Sequence, residues 1–267
     1  MIKLVMAGAA GRMGKIILRL ASQDKEIKIV GGIEQRGHAA LGQDLGPLIG
    51  KDLMGVKVTE DATSALKNAD VMIDFSHFSA LPENLKATVQ TQTAFVIGTT
   101  AIPEPMLKQV RAASKKIPIV QSPNMSVGVN LLFKLAALAG SVLDESYDLE
   151  IMEIHHRMKK DAPSGTALKL LEILAEVRGR NLKKDVIYGR EGETGIREKG
   201  KIGVFALRGG DVVGEHTVSF FGDGERIELI HKASSREAFA RGALMAAKFL
   251  AKKKQGLYHM GHVLGMA

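Results

Sequence analysis

Two adjacent histidines, His155 and His156, close an aliphatic run from Leu149 and are followed by Arg157, Lys159 and Lys160, then by Pro163, Ser164, Gly165 and Thr166. Residues of these types can hold an anion and move a proton. The run has the length and branching of a strand, so it carries the histidines to a strand end, where consecutive side chains point to opposite faces. From Ala167 to Val177 apolar residues recur at helical spacing, with Ser164 as the natural N-cap. A helix start offers backbone donors and about half a positive charge, and Gly165 lets a ligand approach the backbone closely. With Lys159 and a histidine added, the pattern points to a carboxylate-bearing substrate with a proton donor beside it. A capped helix behind a solvated basic turn has the same spacing, and local chemistry leaves open whether His155 or Lys159 gives the proton.

A second stretch with chemical content begins the chain. Ile2 to Ala7 reads as a strand, Gly8-Ala9-Ala10-Gly11-Arg12-Met13-Gly14 as a glycine turn, and Ile16, Ile17, Leu20 and Ala21 as one face of a helix. This is a variant of the dinucleotide fingerprint, in which glycines allow the tight bend and the close approach of a pyrophosphate to the helix start. The next strand, Ile27 to Ile33, ends at Glu34, about where such folds place an acid that accepts bonds from the adenosine ribose. Glu34 disfavours a 2′-phosphate, whereas Arg36 and Arg12 favour one, so both NADH and NADPH are expected to serve.

The elements that position these stretches fall into two groups. Strand-like Val71 to Phe75, Ala94 to Ile97 and Ile117 to Gln121 alternate with helical runs at Ser79 to Gln92 and Pro103 to Lys115. That alternation predicts a doubly wound parallel sheet, and ligands of such sheets sit beyond the carboxyl ends of the strands. The segments Ser76-His77, Gly98-Thr99-Thr100 and Ser122-Pro123-Asn124-Met125 occupy those ends. His77 reads either as a ligand contact or as a helix cap. Past Ser126 comes a long apolar helix, Val127 to Leu143, and after the Ala167 helix three consecutive strands: Lys201 to Leu207, Val212 to Phe221 and Arg226 to Ala233. Strands in succession predict an open mixed sheet with helices on one face and the other left for oligomerisation. Gly42 to Gly55 and the glycine-rich Gly179 to Gly200 read as loops, the latter mobile. The final helix, Arg236 to Lys253, has the apolar spacing to pack back onto the first domain. The predicted fold is therefore α/β: a Rossmann-type dinucleotide-binding domain from residues 1–126 and 236–267, and an α+β substrate-binding and oligomerisation domain from residues 127–235.

Composition narrows the function. The 267-residue chain has no cysteine, which excludes disulfides, thiolate zinc sites and thioester intermediates. Its net charge of +8 comes from scattered Lys and Arg, and with only three Tyr and no Trp it lacks stacking platforms for bases, so small anions are expected as ligands rather than nucleic acid. No apolar run reaches the roughly 20 residues of a membrane span, and cytoplasmic residence is expected.

Five segments together resemble the 4-hydroxy-tetrahydrodipicolinate reductase family, formerly called dihydrodipicolinate reductase. They are Gly8 to Gly14, Gly98-Thr99-Thr100, Ser122 to Asn130, the Glu153-x-His155-His156-x-x-Lys159-x-Asp161-Ala162-Pro163-Ser164-Gly165-Thr166-Ala167 motif, and His231 to Arg236. The resemblance spans nearly the whole chain. It implies reduction of 4-hydroxy-tetrahydrodipicolinate, with loss of water, in diaminopimelate and lysine biosynthesis by a cytoplasmic homotetramer that uses NADH or NADPH and no metal. Hydride would go from the nicotinamide to ring C4 of a cyclic dicarboxylate. By position, the resemblance assigns His155 the acid/base role and Lys159 proton donation, with His156, Gly165 and Thr166 at a substrate carboxylate. It assigns cofactor contacts to Gly8, Ala9, Ala10, Gly11, Arg12, Met13, Glu34, Gly98, Thr99, Thr100, Ser122, Pro123, Asn124 and Met125. Gln35 stands where several members carry arginine, which leaves the cofactor preference open, and His259 and His262 replace residues that are often acidic. Two other classes fit the bare pattern: a different nicotinamide enzyme on the same scaffold, such as an amino-acid dehydrogenase, and a non-catalytic nucleotide sensor, which would not need a proton donor.

Overall fold

A computed structural model describes residues 1–100 and 102–266; Ala101 and Ala267 lie outside the described residues. The chain divides into two compact units, one running from Met1 to Val127 and resuming at Arg236, the other from Gly128 to Ser235.

The first unit alternates strand and helix: β1 (Ile2–Ala7), α1 (Arg12–Ala21), β2 (Ile27–Ile33), α2 (Leu45–Leu48), β3 (Val58–Thr59), α3 (Ala62–Leu66), β4 (Val71–Asp74), α4 (Leu81–Thr91), β5 (Ala94–Ile97), α5 (Glu104–Ala113) and β6 (Pro118–Gln121). With a late edge strand, β12 (Gly256–Tyr258), its seven-stranded sheet has the order β12-β6-β5-β4-β1-β2-β3, with every pairing parallel. Leu4, Val5 and Met6 are all fully buried, as a central parallel strand covered on both faces requires. One face packs against α1 and α8 (Glu237–Leu250) through Ile17, Leu18, Ala240 and Ala243, the other against α3, α4 and α5 through Leu66, Leu85 and Val110.

The second unit follows α6 (Val127–Val142) with β7 (Asp148–His155), α7 (Gly165–Val177), β8 (Val186–Ile187), β9 (Ile202–Arg208), β10 (Gly214–Gly222) and β11 (Glu225–Ala233). The five-stranded sheet runs β11-β10-β7-β9-β8 and is mixed: β10 is antiparallel to β11 and β7, whereas β9 is parallel to β7 and β8. Along β7, Leu149, Ile151, Glu153 and His155 are buried, the period of two expected when helices cover one face. Leu132 and Ala136 of α6 and Leu170 and Leu174 of α7 form that cover, over Leu149, Ile151, Val218 and Phe220.

The chain then rejoins the first unit with α8 (Glu237–Leu250), β12 (Gly256–Tyr258) and α9 (Met260–Val263). Gly242 of α8 lies so close to the main chain that a Cβ there would stand 1.7 Å from the Met125 carbonyl oxygen. β12 adds an edge strand beside β6 that the short segment gives little sign of in sequence. His259 caps α9 by accepting from the Gly261 N–H, while His262 accepts from the His259 N–H.

Two segments expected as loops are more built than that. Asp44 accepts from the N–H groups of Gly46, Met54 and Val56 at 2.8, 2.8 and 3.0 Å, which folds residues 44–56 into a pad around buried Leu45. Within 179–200, Arg197 bonds Asp148, Glu150 and the Leu149 and Lys201 carbonyls, and Arg190 bonds Glu150. These bonds tie the segment to the open face of the sheet. No helix among the described residues is long and apolar enough to cross a membrane.

Candidate active site

In the second unit, the alternation of β7 places Glu153 and His155 on the face that also receives α7. Glu153 is fully buried, and each of its acceptor positions is directed at a named donor. The Arg208 guanidinium, at the end of β9, donates to both oxygens at 2.8 Å, the Ser164 N–H donates to Oε1 at 3.0 Å, and the His155 ring donates from Nδ1 to Oε2 at 2.5 Å. Burial pushes the Glu153 carboxyl up, but the bonds from Arg208 and His155 outweigh this and hold it below its ordinary value. It is therefore a carboxylate that only accepts.

His155 is 9 % exposed. Burial pulls its imidazole below the usual value against the opposing pull of Glu153, and the charges of Lys159 and Arg208 add to the lowering. Behind it stands His216 of β10, its ring edge-on at 5.2 Å between centroids. His216 is 3 % exposed and is pushed down to about 3, chiefly by burial and then by the charge of His155. Its Nε2 lies 3.1 Å from Ser164 Oγ, the oxygen that caps α7 by accepting from the Ala167 N–H at 3.2 Å.

The chain leaves β7 through a turn fixed by backbone bonds, from the His156 N–H to the Val212 carbonyl and from the Gly209 N–H to the His155 carbonyl. Lys159 extends back to Asp161 at 2.9 Å and keeps a fifth of its side chain exposed. Arg208 also donates to the Asp161 carbonyl at 2.7 Å, so one guanidinium braces both the strand and the turn. α7 then starts at Gly165, where a Cβ would meet nothing within 4 Å; the protein itself does not require glycine there. His155, Lys159 and the start of α7 are thus gathered around Glu153 and Asp161. His156 stands at the same strand end, and Thr166 is buried in the first turn of α7.

The first unit holds the other residues singled out in sequence. Gly8 adopts φ +77, Gly11 approaches the Gly8 carbonyl, and a Cβ on Gly14 would stand 2.0 Å from that same oxygen. The turn therefore has the tight bend and the close helix-to-strand packing of a dinucleotide cradle. Glu34 accepts from the Ala10 N–H at 2.7 Å and lines, with Gly8, Gly11, Gln35 and Arg36, a cleft of about 910 Å³. Ala9 lies buried in the turn, and Arg12 and Met13 open α1. Gly98 follows β5, where a Cβ would strike the Phe75 ring at 2.3 Å, and Thr99 is buried while Thr100 is exposed. Ser122 is buried and Pro123 exposed; Asn124 accepts from the Ser126 N–H at 2.8 Å, and the Met125 side chain is built into the core.

Three residues with evident local functions carried no assignment in sequence. Glu153 has a signal, being the one acid among the alternating buried positions of β7. Arg208 and His216 arrive from β9 and β10, through pairing that no local pattern announces. In the first unit, buried Asp74 at the end of β4 accepts from Ser76, Asn84 and Thr99 side chains at 2.6, 2.9 and 3.1 Å, which fixes the turn after β4 to that after β5. His77 caps the next helical turn by accepting from the Ser79 N–H.

Comparison with known proteins bears on both units. A family profile described as "Dihydrodipicolinate reductase, N-terminus" matches residues 2–125, and one described as "Dihydrodipicolinate reductase, C-terminus" matches residues 128–264. The chain is 50 % identical over 266 residues to a 4-hydroxy-tetrahydrodipicolinate reductase of Anaeromyxobacter sp. (strain Fw109-5), covering 100 % of this chain and 98 % of the relative. It is likewise 50 % identical over 268 residues to one of Aquifex aeolicus (strain VF5), covering 99 % of each. Among solved structures, a dipicolinate-bound dihydrodipicolinate reductase from Paenisporosarcina sp. TG-14 superimposes with a TM-score of 0.77 at 25 % identity, over 97 % of both chains.

Proposed function

The chain belongs to the dihydrodipicolinate reductase family, and on that premise we propose how its residues share the reaction. It is a 4-hydroxy-tetrahydrodipicolinate reductase, an oxidoreductase of lysine and diaminopimelate biosynthesis. The first unit is the dinucleotide-binding unit of that reductase. The glycine cradle suits the group: Gly14 has no room for a Cβ, Gly8 holds φ +77, a Cβ on Gly11 would be tight at 3.1 Å, and the Glu34 carboxylate stands beside the turn. Residues Gly8 to Met13 would hold the pyrophosphate, Glu34 the adenosine ribose, and Gly98 to Thr100 with Ser122 to Met125 the nicotinamide end. NADH or NADPH, when bound, supplies the hydride that reduces ring C4.

The second unit supplies everything else the substrate needs. A dicarboxylate places one carboxylate at the start of α7, against the Gly165 and Thr166 main chain, with His156 beside it and the open side of Gly165 giving access. Lys159 exchanges Asp161 for the substrate and donates the proton, and His155 serves as the acid/base group next to it. The observation that carries this reading is that a single buried carboxylate, Glu153, bonds both the His155 ring and the N–H of Ser164. The proton-handling ring and the anion-binding helix start are thereby held as neighbours. A dicarboxylate ligand agrees with the dipicolinate carried by the Paenisporosarcina relative. The test is steady-state kinetics on freshly generated substrate, followed by NADH and NADPH absorbance: Lys159→Ala should lower kcat by ~10²-fold or more. A change confined to KM would make Lys159 a carboxylate anchor only.

We also propose a homotetramer assembled through the open face of the second unit's sheet. That face exposes Met152, Leu207, Phe221 and Ile230 beside the Arg190 and Arg197 ion pairs, an apolar centre with a charged rim. Light scattering should give four times the chain mass, and Ile230→Lys should lower it.

A further inference from the structure

We propose that Glu153 is a positioning residue of this site: it fixes the orientation and tautomer of His155, so that Nε2 is the nitrogen that meets substrate. The inference rests on His155 as the acid/base group. Geometry carries it. With both oxygens of Glu153 accepting from Arg208, and Ser164 donating as well, the carboxylate has no proton to give, so the short contact to His155 must run from the ring's Nδ1–H. The neutral ring then keeps its lone pair on Nε2. That nitrogen packs against Gly214, where a Cβ would stand only 3.0 Å from it, so the absence of a side chain there is what lets the ring tip take this position. Arg208 and the Ser164 N–H hold the carboxylate from its other sides, which prevents it from swinging with the ring and makes it a fixed support.

Every charged or titratable group facing His155 can be placed. Glu153 lies on the same strand, Lys159 and its partner Asp161 on the turn that follows, Arg208 at the end of β9 and His216 on β10. Among these, Glu153 is the carboxylate in contact with the ring. Removing its charge therefore leaves His155 beside Arg208, the Lys159–Asp161 pair and a neutral imidazole, with no carboxylate on the ring, and the protonated form is disfavoured.

Glu153→Gln tests this in the full-length enzyme. It should lower kcat by ~10- to ~10²-fold, the cost of a misaligned reacting group, and shift the His155 limb of the pH–rate profile to lower pH. A purely structural role would lower stability without moving that limb. His155→Gln separates the two layers of the argument. If it leaves kcat unchanged, the acid/base reading itself fails. If it lowers kcat by ~10²- to ~10⁴-fold while Glu153→Gln keeps wild-type kcat and profile, only the positioning role fails. In the double variant, Glu153→Gln should add no further loss to His155→Gln; an added loss as large as in the wild type would refute action through the histidine. Should Glu153→Gln not fold, wild-type enzyme suffices. Histidine Cε1 hydrogen exchange read by mass spectrometry should give His155 a titration midpoint above that of His216, which touches no carboxylate, and the reverse order overturns the proposal.

Discussion

Lowering the pH should weaken the second unit through His216, and the size of the effect follows from its surroundings. The ring is 3 % exposed, its Nε2 is engaged with Ser164, and its Nδ1 is buried with no partner among the described residues. A second proton on this ring would have nothing to bond. Burial and the neighbouring His155 push it from the ordinary 6.5 down to about 3. The unfolded chain takes up a proton below about pH 6.5 that the native state refuses until about pH 3, so stability is complete above the unfolded value and falls throughout that window. For those two values the loss is about 2 kcal/mol by pH 5, with a limiting slope of about 1.4 kcal/mol per pH unit. Urea unfolding at about pH 7.5 and about pH 5, at fixed protein concentration, measures it against His216→Gln, which keeps a polar contact to Ser164 and cannot titrate. Wild type should lose about 2 kcal/mol more than the variant over that interval. Equal losses, or a His216 exchange midpoint near the ordinary value, would refute the reasoning.

Gly165→Ala meets nothing within 4 Å, so stability should hold or rise by about 0.4–1 kcal/mol, whereas KM for the dicarboxylate should rise by ~10-fold or more through loss of main-chain bonds to a charged group. An unchanged KM would remove Gly165 from the site. Gln35 lines the cleft beside Glu34 and Arg36, and Gln35→Arg should move the ratio of kcat/KM values toward NADPH by ~10-fold through a charge-assisted phosphate bond. An unmoved ratio would mean that the 2′-position lies elsewhere.

Sequence patterns were informative where a residue's environment is set by its own neighbours in the chain. Leu4 to Ala7 of β1, Val71 to Ile73 of β4 and all of β5 are buried on both faces and therefore read as apolar runs. The Ser164 cap and the close approach of Gly14 to the Gly8 carbonyl depend on residues three and six apart in the chain. β12 escaped because three residues carry no period, and its pairing with β6 is made by the fold. The 44–56 pad escaped because one side chain, Asp44, does the work of a backbone ladder. In the site, His155 and Lys159 stood out by type, but what holds them did not: Arg208 and His216 are set by strand register. Glu153 was legible in principle, since Leu149, Ile151, Glu153 and His155 share one face, and an acid at a buried position needs a reason.

That reason is electrostatic, and it shows why substrate and proton donor suit each other. Burying Glu153 and Arg208 costs several kcal/mol per ion before pairing, and an aliphatic pair would pack there without that cost. The first half of β7's buried face, at Leu149 and Ile151, is apolar as stability requires; on that face charge is confined to the end that meets α7. There Glu153 balances Arg208 and Asp161 balances Lys159, so the ligand-free cluster is close to neutral and His155 stays deprotonated more readily than an ordinary histidine. On the proposed reading, a dicarboxylate at the start of α7 would change the balance: it would draw Lys159 from Asp161 and bring negative charge toward a ring whose lowering owes part of its size to Lys159 and Arg208. Protonation of His155 would then be favoured by the substrate that is to receive a proton. On that reading the carboxylate that supports the ring is set against burial and two cations, and a bound anion would offset the cations.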